Sequence, residues 1–392
     1  MAFRWQRVAV LASAAVAGVL FASGGVAAAQ PGAVVTQVGT IHVVSDDTNM
    51  DPRSFDISWV EESTGLYYLT DRTNNAVDQF DANRDKFLGF LGKGSFHSLP
   101  GDVCLAMGAS DDADCRGPNG VVTDKMHRVW VTDGVNKASP ISSIKVIASS
   151  ESSPEPGAGI TESIPTGGKF RSDELSYDPD DDMILLANPD VHDAFLTWID
   201  ATTMRVAGTF HFSPQDPEKW GGLEQSVWDP RTSLFYQAVP GVTDDSGKLV
   251  TPGEIDAFSP IPVNGVGQRV ARIMVPDCVN GPAGLVRARN QTLIGACDNG
   301  GVVVKIPNGD VHKMIPNVGG ADELWFNVGD GNVYFAIRGG QLGVADAESD
   351  HFLTSLPTGS GAHSVAANIG NNHIFVPVPL QGIFVFTSEQ PS

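Results

Sequence analysis

Short apolar runs recur along the chain after residue 50, each introduced by a small or Gly-rich segment and one polar residue. A polar turn and a second apolar run follow, as at Leu66–Leu69 and Val333–Ala336. Runs of this length, separated by turns such as Asp178–Asp182 and Gly329–Asn332, are typical of β-hairpins. Helical periodicity is almost absent, so the pattern predicts an all-β protein.

The same pattern is an internal repeat. Its seven copies have their anchor positions at Asp56, Asn119, Asp173, Glu224, Ala283, Asp322 and His363. Four short strands at the spacing of the last copies are typical of one propeller blade, so we predict a seven-bladed β-propeller. A six-bladed ring is the alternative, in which the weak fifth copy is not a blade.

The two ends of the repeat array indicate how the ring closes. The seventh copy has room for three strands, near 363–367, 373–378 and 382–387. The apolar segment Val34–Val44 precedes the first copy and has no partner there, so we expect it to complete the last blade and hide two sheet edges. Insertions rich in Pro, Gly, Ser and Asp are predicted at 92–116, 135–168 and 241–253. Whether they form a lid over one face is open at this point.

The first 29 residues have the pattern of a secretory leader. Arg4 and Arg7 precede an apolar run from Val8 to Val26, and Ala27–Ala29 offers small residues for cleavage. We therefore expect residues 30–392 to form a single propeller domain that is secreted or periplasmic. An uncleaved N-terminal anchor is the alternative.

Charge narrows the range of partners. The chain has 46 acidic and 25 basic residues, a formal net charge of −21, and cleaving the leader would remove two more positive charges. A field of this sign repels phosphate backbones and anionic lipids, which disfavours nucleic acid and membrane surfaces. We expect a small-molecule ligand or substrate, and the sequence is compatible with a monomer.

Four cysteines, an even number in an exported chain, predict disulfides. Three pairings are possible, and we favour Cys104–Cys115, within one short loop, and Cys278–Cys297, around the start of one repeat. No CxxC spacing occurs, which disfavours a cysteine zinc site.

Candidate chemistry follows from blade geometry. The first strand of a blade lines the central channel and the second returns antiparallel, so first-strand starts and second-strand ends share one mouth. The anchors place an acidic ring there, and the second-strand ends add Asp71, Asp133, Asn188, Asp298 and Arg338. Because hard divalent cations prefer such oxygens, we predict the metal ligands Asp56, Asn119, Asp173 and Glu224. Calcium is our first choice, with magnesium, manganese or zinc as alternatives.

Two segments carry a resemblance to a known group. Gly117-Pro118-Asn119-Gly120-Val121 followed by Val129–Gly134, and Phe55–Trp59 continuing to Asp71, resemble motifs of the SMP-30/gluconolactonase, NHL and YVTN propeller superfamily. The resemblance implies a channel-mouth divalent ion that polarises a lactone carbonyl. Asn119 matches the motif residue, and Asp56 stands where that group usually has Glu.

These observations predict a metal-dependent hydrolase of lactone or ester type. His363 would be the general base or proton shuttle, Arg338 would stabilise the developing oxyanion, and Asp322 would complete the catalytic set. The second-strand residues Asp71, Asp133, Asn188 and Asp298 would contact the substrate.

Two other functions stay open. The molecule could be a non-enzymatic propeller that binds a ligand or protein, because polar residues at strand starts also serve to solvate the channel and bond exposed amides. It could instead be a lyase or cyclase that uses His363 with or without a metal. Propellers host many functions, so the fold does not decide among them.

Overall fold

Seven antiparallel sheets of four strands each make up the computed structural model, which describes residues 34–109, 111–148, 152–212, 222–244, 246 and 248–389. The innermost strands of successive sheets contact one another in a closed ring, so the molecule is a seven-bladed β-propeller, as predicted. The fifth copy is a full blade, which removes the six-bladed alternative. The proposed leader lies outside the described residues.

Each blade is a four-stranded meander. The blades are numbered 1 to 7 along the chain, and the strands of each blade are given from the innermost to the outermost. The strands are Phe55–Glu61, Leu66–Asp71, Ala76–Asp81 and Lys86–Leu91 in blade 1; Val121–Thr123, Val129–Thr132, Ser143–Ile147 and Glu162–Pro165 in blade 2; Leu175–Asp178, Met183–Asn188, Phe195–Asp200 and Arg205–His211 in blade 3; Ser226–Asp229, Leu234–Val239, Gly253–Phe258 and Arg269–Val275 in blade 4; Leu285–Arg287, Thr292–Cys297, Gly300–Lys305 and Asp310–Ile315 in blade 5; Ala321–Asn327, Asn332–Ile337, Gln341–Asp346 and His351–Pro357 in blade 6; and Ala366–Asn368, His373–Val378, Gly382–Glu389 and Val34–Ile41 in blade 7.

Three smaller elements complete the secondary structure of the described residues. Two short hairpins are formed by Val44–Ser45 with Thr48–Asn49 and by Val242–Thr243 with Leu249–Thr251. A single helical turn and a half spans Gly101–Ala106. None of the helical segments within the described ranges is long and apolar enough to cross a membrane.

The N-terminal strand closes the ring. Val34–Ile41 pairs antiparallel with Gly382–Glu389, from Val34 opposite Glu389 to Ile41 opposite Ile383. This confirms the predicted closure, with Val44 lying in a separate short hairpin rather than in the closing strand. The last blade is therefore built from both ends of the described chain, and Gly382–Glu389 is not left as an edge strand.

The hydrophobic core lies between neighbouring blades. At the junction of blades 7 and 1, for example, the Tyr67 ring packs at 5.0 Å from both Phe80 and Phe375, and all three side chains are fully buried. Trp130 and Trp198 are likewise completely buried in their blades. Packing on both faces of every sheet thus explains why the strands appear in the sequence as short continuous apolar runs.

Hydrogen bonds near the channel join every pair of neighbouring blades. In ring order they are Ile57 N to Asn119 O, Thr132 Oγ1 to Asp173 O, Ser176 Oγ with Ser226 Oγ, Leu285 N to Gln225 Oε1, Gly284 N to Asp322 O, Glu323 N to His363 O and Ser58 N to Ser364 Oγ. Several of the anchor residues therefore hold the ring together through their main chains, and their side chains are fixed at one mouth.

One predicted insertion, in blade 2, and one further loop, in blade 4, lie along outer blade edges. In the insertion of blade 2, Pro154 O accepts a bond from Gln79 Nε2 and Gly157 N donates to Phe90 O, which attaches this loop to blade 1. In blade 4, Gly267 N donates to Thr209 O on the outermost strand of blade 3. Both contacts pair edge strands that would otherwise expose main-chain groups.

Both favoured disulfides are present. Cys104–Cys115 closes a separation of 11 residues beside the short helix, and Cys278–Cys297 closes one of 19 residues beneath the start of blade 5. All four cysteines are buried. Two disulfides fit an exported protein.

We expect removal of the second disulfide to cost substantial stability. The disulfide restricts a loop of 19 residues in the unfolded chain, so we expect Cys278→Ala/Cys297→Ala to lower the free energy of unfolding by about 3 kcal/mol. Urea unfolding of this variant, with Cys104→Ala/Cys115→Ala as the matched comparison, measures the effect. An unfolding free energy unchanged from that of the parent protein would contradict the expectation.

Candidate functional site at the channel mouth

The predicted acidic ring forms, and its position follows from strand register. Phe55 at the start of blade 1 lies opposite Asp71 at the end of the second strand, so Asp56 and the residue after Asp71 come to the same mouth. That residue is Arg72. The same relation in other blades gathers the anchor side chains around the channel opening, which we call the mouth.

Arg72 links the first two predicted metal ligands. Its Nη2 contacts Asp56 Oδ2 and lies 2.6 Å from Asn119 Oδ1, while Nε lies 3.1 Å from the same Asn119 oxygen. The Asn119 amide is held from its other side, since Nδ2 donates to Ser172 O at 2.7 Å and to Arg116 O at 2.9 Å. The oxygens predicted to coordinate a metal therefore accept hydrogen bonds from a guanidinium.

Two further arginines repeat this arrangement. Arg171 Nη2 lies 2.8 Å from Asp173 Oδ2, and Arg338 Nη2 lies 2.5 Å from Asp322 Oδ1. Arg338 keeps 66% of its side-chain area exposed, whereas Asp173 and Asp322 are largely covered. The mouth is therefore an alternation of carboxylates and guanidinium groups rather than a ring of carboxylates alone.

The paired carboxyls differ in their protonation. Burial works against ionisation of Asp56, but Arg72, His363 and Arg171 together outweigh it and lower the pKa of Asp56 to about 2. For Asp173 burial dominates, and it raises the pKa to about 6 against the opposing charge of Arg171. Asp56 is therefore ionised at any physiological pH, and Asp173 titrates close to neutrality.

His363 is held in one orientation. Its Nδ1 lies 2.7 Å from Gly361 O, and its ring stacks on Phe55 with centroids 4.7 Å apart. Its Nε2 lies 3.8 Å from Asp56 Oδ1, an ion-pair distance that is too long for a hydrogen bond. Burial disfavours the imidazolium, but Asp56 and Asp322 together raise the pKa of His363. The predicted proton-transferring residue is thus at the mouth with Nε2 as its free nitrogen.

Three glutamates from opposite sides of the ring extend the site. Burial, with Asp322 and Asp173 nearby, raises the pKa of Glu224 to about 8. Glu174 in blade 3 and Glu323 in blade 6 lie near enough for each carboxyl to affect the pKa of the other, and both side chains are buried. Burial is the main cause that raises both pKa values well above the usual range, with Glu323 adding to it for Glu174 and Asp322 adding to it for Glu323. We call this pair the cross-channel pair.

The cross-channel pair makes stability depend on pH in a defined direction. A folded-state pKa above that of the unfolded chain means that folding retains a proton, so the stabilisation is present at low pH and is lost as pH rises. We expect Glu323→Gln, which keeps a hydrogen-bonding group without ionising, to raise the unfolding free energy at pH 8 by roughly 1–3 kcal/mol, the cost of a poorly satisfied buried group. At pH 4 the variant and the parent should agree closely.

Denaturant unfolding across pH 4–9 measures this difference, and Glu348→Gln at an exposed position is the matched control. A Glu323→Gln variant that is destabilised equally at both ends of the range would show that ionisation of Glu323 does not govern its effect on stability.

The four predicted substrate contacts lie at second-strand ends, but three of them are buried among their own neighbours. Asp71 accepts bonds from Thr73 N and Asn74 N, and Asn188 bonds Thr166 Oγ1 and Thr197 Oγ1. Asp133 accepts a bond from His97 N and lies 3.2 Å from Lys145 Nζ, and burial raises its pKa to about 6. These side chains hold loops and strands together.

Asp298, the fourth, is exposed and accepts a bond from Asn280 Nδ2 at 2.7 Å. It lies beside the Cys278–Cys297 disulfide. Within the described part of the chain, none of these four side chains forms a hydrogen bond or ion pair with Arg72, Arg171 or Arg338.

The side-chain oxygens at the mouth are poorly suited to bind a divalent cation. Asp56 and Asn119 already accept from Arg72, and Asp173 and Asp322 each pair with an arginine. Three guanidinium charges would repel an ion placed among these oxygens. Within the described part of the chain, no group of three or more His, Cys, Asp or Glu side chains is arranged to hold a metal.

Sequence reasoning missed Arg72 and Arg171, because only the first-strand anchors and the second-strand ends were assigned to the mouth, and neither arginine stands at such a position. A signal was present for both. Arg72 directly follows the strand-ending Thr70-Asp71, and Arg171 precedes the Ser172-Asp173 anchor, so each basic residue is within two residues of an acid already assigned to the mouth.

Comparison with known proteins supports the fold. No protein-family model matches the chain, and no curated protein matches it either. Among solved structures, the chain is similar to the WD40 domain of Neurospora crassa Pan2, with a TM-score of 0.60 and 10% identity over 91% of this chain and 96% of that one. At this identity the likeness shows a shared propeller fold and nothing of function.

Proposed function

We propose that the channel mouth binds a small polar molecule through its arginines, His363 and protonated glutamates, without a resident divalent ion. The observation that carries the proposal is the bonding of Arg72 to both Asp56 and Asn119. Those two oxygens belong to predicted metal ligands, and they instead accept hydrogen bonds from a guanidinium.

The geometry supports a small ligand rather than a macromolecule. Glu174 and Glu323 come from blades 3 and 6, on opposite sides of the ring, and both side chains are buried. Guanidinium, imidazole and carboxyl groups next to one another offer several directed hydrogen bonds in a partly buried setting, which is typical of small-molecule sites.

A thermal-shift screen of small polar molecules, run with a chelator present, tests this proposal. We expect ligands that raise the melting temperature of the parent protein to lose their effect in His363→Gln and Arg338→Gln variants. Arg84→Gln, at an exposed pair remote from the mouth, is the matched control. Stabilisation that appears only when a divalent metal is added, or that survives both mouth changes, would overturn the proposal.

A second candidate is hydrolysis of a lactone or ester at the same mouth, and the fixed ring of His363 favours it. With Nδ1 bonded to Gly361 O, Nε2 would take a proton from an attacking water and pass it to the departing alkoxide. Arg338, oriented by Asp322, would stabilise the oxyanion formed at the carbonyl. A lyase or cyclase would use the same imidazole as proton donor, which its raised pKa favours.

Activity measurements separate this candidate from simple binding. Hydrolysis of lactones and esters is followed in the presence of a chelator, and His363→Gln is expected to lower the rate by about 10²–10⁴-fold. A rate that is unchanged in His363→Gln would remove the imidazole from the reaction.

A further inference from the structure

A pocket of about 320 Å³, partly open to solvent, lies on the face of the propeller opposite the mouth. It is lined by the turns that join the first and second strands of blades 1 and 2, by the third and fourth strands of blade 1 and by part of the blade 2 insertion. First strands start at the mouth, so these turns lie at the other end of the ring. Small-molecule sites begin at volumes of about 300 Å³, so this pocket is large enough for a compact ligand.

Glu61 organises the polar wall of the pocket. Its Oε2 accepts hydrogen bonds from Thr64 Oγ1 at 2.8 Å and from Ser153 Oγ at 3.3 Å, and its Oε1 lies 2.5 Å from His127 Nδ1. Only 6% of the Glu61 side chain is exposed, so these bonds hold the carboxylate in place. Because an ionised carboxylate can only accept, the two hydroxyl hydrogens and the Nδ1 hydrogen are all directed at Glu61.

The groups that remain to face the pocket are hydrogen-bond acceptors. With its Nδ1 hydrogen on Glu61, the neutral His127 ring presents the lone pair of Nε2, and about a third of this side chain is exposed. Gln79 is almost completely buried, and its Nε2 donates to Pro154 O at 2.9 Å, while its Oε1 has no hydrogen-bond donor among the described residues. A buried acceptor without a donor is costly, so a ligand that supplies donors is favoured here.

We propose that this pocket is a second ligand site, which binds a small primary ammonium ion on an aliphatic stem. An ammonium group has three N–H donors, which the acceptors Gln79 Oε1 and His127 Nε2 and the carboxylate of Glu155 receive. The site shares no residue with the mouth, so the proposal is independent of the function proposed there.

The remaining lining suits the other half of such a ligand. Leu66, Leu88 and Pro156 supply apolar surface for the stem. Glu155 is exposed and forms no ion pair with any described residue, and no Lys or Arg side chain is among the described residues that line the pocket. A protein with a formal net charge of −21 also raises the local concentration of cations. Apolar surface next to an uncompensated carboxylate therefore favours an amphipathic cation over an anion.

Three probes of equal size separate charge from hydrogen bonding. n-Butylammonium has both a charge and N–H donors, 1-butanol keeps the stem without the charge, and tetramethylammonium keeps the charge without a donor. A ligand of five non-hydrogen atoms supports a dissociation constant of roughly 1–10 mM, so ligand-observed NMR titrations up to about 50 mM at pH 8 cover the relevant range. About 0.15 M NaCl screens non-specific attraction to the acidic surface. We expect n-butylammonium to bind at least about tenfold more tightly than either of the other probes.

Two variants assign the binding to this pocket. Glu155→Gln removes an exposed charge, and His127→Asn removes the imidazole at a position of positive φ (61°) that Asn readily adopts, so neither change is expected to disturb the fold. Each should weaken n-butylammonium binding by about fivefold or more, whereas Glu348→Gln, the same charge change at an exposed position elsewhere, should alter it by less than about twofold. Equal binding of n-butylammonium and tetramethylammonium, no detectable binding of n-butylammonium, or an affinity unchanged in either pocket variant would overturn the proposal.

Discussion

A chain that begins at residue 42 is expected not to fold cooperatively. It lacks Val34–Ile41, the strand that completes blade 7 by pairing along Gly382–Glu389. Its removal leaves that strand as an exposed edge and uncovers the buried side chains of Ile383, Val385 and Phe386. The loss should amount to several kcal/mol, which is comparable with the whole stability of an ordinary domain, about 5–15 kcal/mol.

Circular dichroism and urea unfolding of the shortened chain, compared with a matched chain that begins at Val34, measure this effect. The matched chain keeps the closing strand and should unfold in a single cooperative transition. Equal unfolding midpoints for the two chains would show that blade 7 does not need its fourth strand.

Replacing Arg72 by methionine is expected to lower the unfolding free energy by about 3 kcal/mol. Arg72 and Asp56 retain only 10% and 14% of their side-chain areas in contact with solvent, so this is a buried ion pair. Removing one partner leaves the Asp56 charge and the Asn119 oxygen uncompensated, which is much more costly than losing a surface pair. Denaturant unfolding at pH 7 gives the change.

The double variant Arg72→Met/Asp56→Asn distinguishes charge from packing. It removes both charges, so most of the loss should be recovered. Arg84→Met, which breaks the exposed pair with Asp81, should stay within about 0.5 kcal/mol of the parent. A loss in Arg72→Met no larger than that of Arg84→Met would contradict the role of Arg72 as the bridge at the mouth.

Much of the architecture could be predicted from the sequence because it depends on repetition. Seven copies of one hydrophobic pattern determine seven blades, and an unpartnered strand at Val34 together with a three-stranded last copy determines the closure. The disulfides followed from position in the chain, since each joins two cysteines separated by 11 or 19 residues. These features are local or periodic, so no side-chain geometry was needed.

The site was less predictable because it depends on which side chains meet across the ring. The anchors Asp56, Asp173 and Asp322 do lie at the mouth, but their partners are set by the orientation of Arg72, Arg171 and Arg338. Glu174 and Glu323, whose carboxyls affect each other's pKa, come from blades 3 and 6, which are far apart in sequence. A one-dimensional pattern gives no measure of such cross-channel distances.

The metal content of the protein, purified without chelator and then exposed to calcium, magnesium, manganese and zinc, tests the central claim most directly. With Arg72 bonded to Asp56 and Asn119, we predict that elemental analysis after desalting finds no stoichiometric divalent ion in the parent protein. One tightly held ion per chain that is lost in Asp56→Asn would contradict the account, because it would mean that the mouth oxygens serve a metal and not a guanidinium.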